Sequence, residues 1–166
     1  MAEITLWSDQ VIAKPAEGWP SDGRIASTPA QSNNQSSLDS ARVVIQYKSL
    51  TPDGKDVPVG FTLGAVIEEE VASGVWIPQA TQFDVVKGTD EAASQIIEIS
   101  PGLNLNPGSP EKLFAGGKEV ASISRTQGKL GSKWRVCVVL QVVDPSAPEL
   151  ESLTISGYAS TFNLST

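Results

Sequence analysis

Apolar positions in this chain recur with a period of two. From Trp134 to Val143 the sequence runs Trp-Arg-Val-Cys-Val-Val-Leu-Gln-Val-Val, so that Trp134, Val136, Val138, Leu140 and Val142 share one face. The other face carries Arg135, Cys137, Val139, Gln141 and Val143, a mixed set able to meet solvent or a partner. Valine loses side-chain freedom in a helix but packs well on a pleated surface, and the run is too short for a bilayer-spanning helix. Asp144-Pro145 closes it, because proline has no N–H for the ladder and restricts the residue before it. The segment is expected to be the central strand of a sandwich.

The same alternation predicts strands elsewhere. Ala41–Leu50 holds Val43, Val44, Ile45 and Tyr47, and Pro52-Asp53-Gly54 then marks a turn. Val57, Val59, Phe61, Leu63, Ala65 and Ile67 follow on one face, so residues 41–67 predict a hairpin with Pro58 at an edge or strand start. Further strands are expected at Val75–Pro78, Gln82–Lys87, Gln95–Ser100, Glu119–Arg125 and Leu150–Thr161. Phe162 and Leu164 fall out of the last alternation, which predicts a bulge or register slip there. Thr89 as a cap, with Asp90 and Glu91 behind it, suits one helical turn over Gly88–Ser94. Prolines and glycines make loops of 103–118, and 126–133 connects to the central strand. Roughly seven or more short strands, with turn signals every ten or so residues, indicate an all-β fold, an antiparallel β-sandwich or jelly roll.

Residues 1–37 are of a different kind. Ile4, Leu6, Trp7, Val11 and Ile12 give way to Pro15, Gly18, Trp19, Pro20 and Gly23, then to the polar tract Ser27–Ser37. A tract with nothing large and apolar cannot offset the entropy of its own ordering. The expected partition is an extended N-terminal arm over 1–37 and a β-sandwich domain over 38–166. Trp7 and Trp19 lie just before the polar tract, and two readings stand with equal weight. Together with Ile4 and Leu6 they anchor the arm elsewhere, on the body or on a neighbouring subunit, or they simply cap the sandwich of their own chain. On the first, removing residues 1–37 leaves a folded body that no longer assembles.

Charge and residue usage narrow the chemistry. A net charge of −7 with no basic stripe argues against binding a nucleic-acid backbone. The absence of histidine removes Ser-His and Cys-His nucleophile pairs and the commonest metal ligand. Cys137, the single cysteine, lies in the most apolar strand and reads as a small buried hydrophobe; with no second thiol the chain fits a reducing cytosol or a fold with no need of staples. The opening Met1–Trp7 lacks the pattern of an export signal, and no apolar run reaches the length of a membrane span. Gly116-Gly117-Lys118-Glu119 lacks the earlier glycine and the hydroxyl of a phosphate loop. No cofactor is expected.

The run Glu68-Glu69-Glu70 is expected to be a solvated acidic turn. Two sharper alternatives place Glu68 and Glu70 on one strand face, as ligands of a calcium ion or as carboxylates of a glycosidase. Trp76, before Ile77-Pro78, is the candidate stacking surface for a glycan, whereas Trp134 belongs to the core.

In its acidic single domain, its Ser/Asn/Gln-rich N-terminal stretch, its Val/Ile/Thr strands and its lack of histidine, the chain resembles the accessory structural proteins of tailed-phage virions, in particular capsid decoration (cement) proteins. The resemblance implies a non-enzymatic virion protein, assembled in the host cytoplasm, that sits on the shell as a homotrimer. It implies a major capsid protein or other virion protein as partner, with the N-terminal arm reaching the next subunit. Such an arm can wrap a large surface, and repetition over a symmetric shell multiplies modest contacts. The rival is a receptor- or glycan-binding β-sandwich of a phage head or tail fibre, with loops 101–118 and 126–133 as its rim and Trp76 in contact with the sugar.

Overall fold

The computed structural model describes residues 2–32, 40–50, 61–85, 93–100, 111–115, 117–142 and 150–162, and within them every regular element is a strand. In chain order these are β1 (Ala2–Ala13), β2 (Arg24–Ser27), β3 (Gln31–Ser32), β4 (Ser40–Leu50), β5 (Phe61–Ala72), β6 (Val75–Val85), β7 (Ala93–Ser100), β8 (Glu111–Ala115), β9 (Lys118–Gln127), β10 (Lys133–Val142) and β11 (Ser152–Phe162). One sheet has the order β1-β11-β4-β7-β9-β8; the other has β2-β10-β5-β6, with β3 beside β2 on the same edge of β10. All neighbours are antiparallel except β7 and β9, which run parallel, so the first sheet is mixed where a purely antiparallel one was expected.

The alternation along β10 explains the core. Val136, Val138 and Leu140 stand opposite Ile67, Ala65 and Leu63 of β5, and all six are buried. Across the interior they meet Val43 and Ile45 of β4, Ile97 and Ile99 of β7, and Ile155 and Ala159 of β11. Burying each large branched side chain is worth about 1.5–3 kcal/mol, so this double layer is the main stabilising term. Trp134 belongs to it, being almost wholly buried. Val142, assigned to the same face, lies at the strand end and is half exposed.

Several expectations need correction. The hairpin over 41–67 does not form: β4 pairs with β11 and β7, whereas β5 pairs with β10 and β6 in the opposite sheet. A turn signal says that the chain reverses, not which sheet receives it, and the turn itself lies outside the described residues. Val75–Pro78 and the start of Gln82–Lys87 are one strand, β6, on the edge where Pro78 is tolerated. β8 occupies part of the expected 103–118 loop. Of the helical turn at 88–94, only Ala93 and Ser94 are described, and they open β7. No slip occurs where β11 ends, since its register on β4 is unbroken to Phe162↔Ser40; Leu164 lies outside the described residues.

The N-terminal segment is the largest departure. Residues 2–32 are not an extended arm but strands of both sheets, and residues 33–37 lie outside the described part. β1 runs antiparallel along β11, from Ala2↔Thr161 to Ala13↔Ser152. Trp7 lies on Gly157, where an added Cβ would stand 2.7 Å from Trp7 Cε3. β2 and β3 carry little apolar surface, but their backbone groups find partners on β10. Between them the Thr28 N–H donates to the Val136 carbonyl at 2.9 Å, and the Val136 N–H donates to Thr28 Oγ1 at 3.0 Å. Main-chain pairing thus orders a polar stretch that has no core of its own.

The sheet edges are irregular. β1 shifts register on both sides of Trp7, and Asp9 there adopts a φ of 44°. β6 carries Pro78 next to a further register shift, and β2 and β3 are short pieces interrupted around Pro29. We expect a chain lacking residues 1–32 to lose its cooperative thermal transition by circular dichroism and to bind a hydrophobic dye, because β11 and β10 would each expose an edge and part of the core. A sharp melt in that truncated chain would restore the separable-arm picture.

Candidate functional site

The outward face of the second sheet holds a dense polar cluster centred on Glu68. Period two and the strand register put Glu68 of β5 opposite Arg135 of β10, Cys137 opposite Val66, and Ser27 of β2 opposite Cys137. Arg24, at the start of β2, stands opposite Val139. Glu68 is only 1% exposed although it faces away from the core, because the two arginines close over it.

Arg135 donates from Nε to Glu68 Oε2 at 2.8 Å. Arg24 donates from Nη1 to the same oxygen at 3.2 Å and from Nη2 to Oε1. The Cys137 thiol donates to Oε2 at 3.4 Å, and its sulfur also lies 3.1 Å from Arg24 Nη1 and 3.2 Å from Ser27 Oγ. Above this, the Arg135 guanidinium sits 4.2 Å from the centre of the Trp76 ring, a cation–π contact worth about 1 kcal/mol. Lys133 Nζ bonds Glu70 Oε1 at 3.2 Å, and Gln79 Nε2 bonds Glu69 Oε2 at 2.8 Å.

Burial pushes the Glu68 carboxyl toward higher pKa, but hydrogen bonds from Arg24, Arg135 and Cys137 outweigh it and leave the group below its ordinary value. Arg24 is raised, chiefly by its hydrogen bond to Glu68. Burial pushes the Cys137 thiol up, against a smaller opposing effect of its Ser27 hydrogen bond, which keeps it protonated and a poor nucleophile.

This arrangement corrects the expectation of a solvated acidic turn: Glu68, Glu69 and Glu70 are strand residues with named partners, and Glu68 is buried. Both Glu68 oxygens are taken by cationic donors, which suits neither calcium ligation nor donation of a proton to a glycosidic oxygen. Among the described residues, no group of three or more Cys, Asp or Glu side chains is placed to hold a metal.

The residues proposed for partner contact fall elsewhere. Ile4, Leu6 and Trp7 pack, half-buried, on the chain's own core. Trp19 packs on the other half of that core, and its Nε1–H donates to the Leu150 carbonyl at 3.2 Å. All four side chains therefore lie, partly buried, against their own sandwich. Trp76 is half-buried with one face under Arg135, and it belongs to the ion-pair cluster. Arg24, Ser27 and Cys137 were not singled out for this site. The one sequence signal for them was an arginine in an N-terminal stretch otherwise poor in cations.

No family model matches the sequence, and no curated protein does. Among solved structures, the chain is similar to a chain in the structure of the infectious bursal disease virus Gx strain, with a TM-score of 0.50 and 13% identity. The match covers 99% of this chain and 33% of that one, so the protein spans about a third of its neighbour's length. At this identity the likeness is one of all-β fold. No helix among the described residues is long and apolar enough to cross a membrane, which says nothing of a β-barrel.

Two outcomes follow from the cluster. Glu68→Gln strips the counter-charge from two arginines and should destabilise by about 3 kcal/mol in urea unfolding at neutral pH, the low end for breaking a buried pair because both guanidiniums reach solvent. Because the folded pKa of Glu68 lies below the unfolded value near 4.5, its contribution is complete above that pH and disappears as pH falls through the folded value. The gap between wild type and Glu68→Gln should therefore narrow in acid. Separately, Cys137 should resist alkylation by iodoacetamide at pH 8 in the native protein and react once urea unfolds it; rapid labelling of the native state would contradict its burial.

Proposed function

We propose that this chain is a non-enzymatic virion structural protein of the decoration or cement kind, which binds and stabilises a capsid surface as a homo-oligomer, in first expectation a trimer. The observation that carries this reading is that nearly the whole chain aligns, as one two-sheet body, within a chain of a virus. The partner is a major capsid protein or another virion protein. A body stiffened by cross-sheet packing suits repeated attachment, since many copies on a symmetric shell turn modest contacts into firm hold.

The contact surface is the tip of the β5–β6 hairpin. Val71, Val75 and Ile77 are each about half exposed there, and Gly74, with a φ of 74°, makes the turn between the strands. Clustered apolar side chains left in water are characteristic of protein-binding surfaces. The N-terminal segment contributes from its place in β1 rather than as a free leader.

The test is co-sedimentation with parent-virus shells assembled without this protein. Saturable binding is expected, with shells that resist heating better when coated. Val75→Asp and Ile77→Asp should each weaken binding by about tenfold while leaving the free protein's melting temperature unchanged. Shells that gain neither bound protein nor heat resistance at any mixing ratio would overturn the proposal.

A further inference from the structure

Away from the ion-pair cluster and the hairpin tip, a cleft of about 420 Å³ opens at the end of β10, between Trp19–Gly23 and Leu140–Val142. Its walls are set before any ligand arrives. Trp19 is packed on the core, and its indole N–H is engaged by the Leu150 carbonyl. Residues 20–23 form a turn closed by the Gly23 N–H to the Pro20 carbonyl at 2.9 Å. The Leu140 N–H then ties that turn to β10 through the Gly23 carbonyl at 2.7 Å. Gly23 has a φ of 75°, and a Cβ there would stand 2.7 Å from Leu140 O, so the turn requires glycine. The Arg24 N–H holds Asp22 Oδ1 at 3.0 Å, which orients the carboxylate and leaves Oδ2 with no partner among the described residues.

We propose that this cleft binds a neutral saccharide. Trp19 lines it with its N–H engaged by the Leu150 carbonyl, so any part of the indole that reaches the cleft is carbon, and the half-exposed Val142 lines it too. The polar groups of the lining are a carboxylate oxygen that only accepts, the Ser21 hydroxyl and, from the face of β10 opposite Val142, an amide on Gln141 that both donates and accepts. A sugar ring matches this division, with a C–H face for the apolar wall and hydroxyls for the polar one.

Charge selects a neutral ring. Asp22 and the net charge of −7 oppose acidic sugars. On the other side, Arg24 and Arg135 share the single carboxylate of Glu68, and that excess positive charge next along the sheet opposes an ammonium or guanidinium ligand. The volume falls within the range of about 300–1,000 Å³ usual for small-molecule sites, and walls ordered in advance lose little entropy on binding. This inference is independent of shell binding and moves the sugar contact from Trp76 to Trp19.

The test is two-dimensional NMR of the full chain, following Trp indole and backbone amide signals. The probes are glucose, galactose, mannose, N-acetylglucosamine, N-acetylgalactosamine and lactose, with sialyllactose and free arginine as charged controls. At least one neutral sugar should give saturable shifts confined to residues 19–24 and 140–142. Asp22→Asn and Gln141→Ala, both on the exposed rim, should each weaken that binding by about tenfold with the melting temperature unchanged, and Trp76→Ala should leave the affinity alone. The proposal is overturned if no neutral sugar saturates the site, if sialyllactose or arginine binds there in preference, or if neither rim substitution alters affinity.

Discussion

An indole can press close against a strand's backbone only where that strand offers no side chain. Trp7 meets this condition over Gly157, and from there it touches both halves of the core, the one around Ile45, Ile67 and Trp134 and the one around Leu63, Leu140 and Ile155. The β1–β11 ladder gives way on either side of the ring, as register shifts that frame Trp7. A bulky aromatic thus ties the start of the chain to its last strand and to the interior between the sheets. The rest of the fold depends on this closure, because β11 would otherwise be an open edge with apolar residues beneath it.

The second sheet is closed by charge rather than by bulk. Glu68 lies on the face opposite the core, yet it is as buried as the valines behind it, because Arg24 from β2 and Arg135 from β10 converge on its two oxygens. Removing a carboxylate from water is costly unless donors replace the lost hydration, and here guanidinium groups do so from two different strands. The pairing also fixes position: a one-residue slip of β2 would turn Arg24 to the wrong face and leave Glu68 short of a partner. A short strand with little apolar surface is thereby given a defined register on β10.

What could be read from the sequence follows from how local each signal is. The inner face of β10 was legible because alternation from Trp134 to Leu140 is a property of adjacent residues, and so were the strand character of β4 and β11 and the all-β fold. Sheet membership was not, since the residues of β4 and β5 carry the same inward pattern and meet face to face instead of edge to edge. The burial of Glu68 was hidden for the same reason: its partners lie 44 and 67 positions away, and nothing in three successive glutamates announces them. The N-terminal segment misled because residues 27–32 lack side chains for a core, while their order comes from backbone bonds that leave no trace in composition. Trp19 was singled out as an anchor, but the cleft beside it depends on the turn at Gly23 meeting Leu140.

A protein whose described residues are mostly strand carries the hazard that neighbouring molecules will continue its ladders into fibrils. The exposed margins described above are poor templates for that. Pro78 withholds an amide in the middle of one, and its adjacent shift bends the pleat. Asp9 kinks another, and the third is broken into two fragments on either side of Pro29. Extending the hydrogen-bonded lattice from one copy to the next through these three margins would require flat, regular rims that they do not offer.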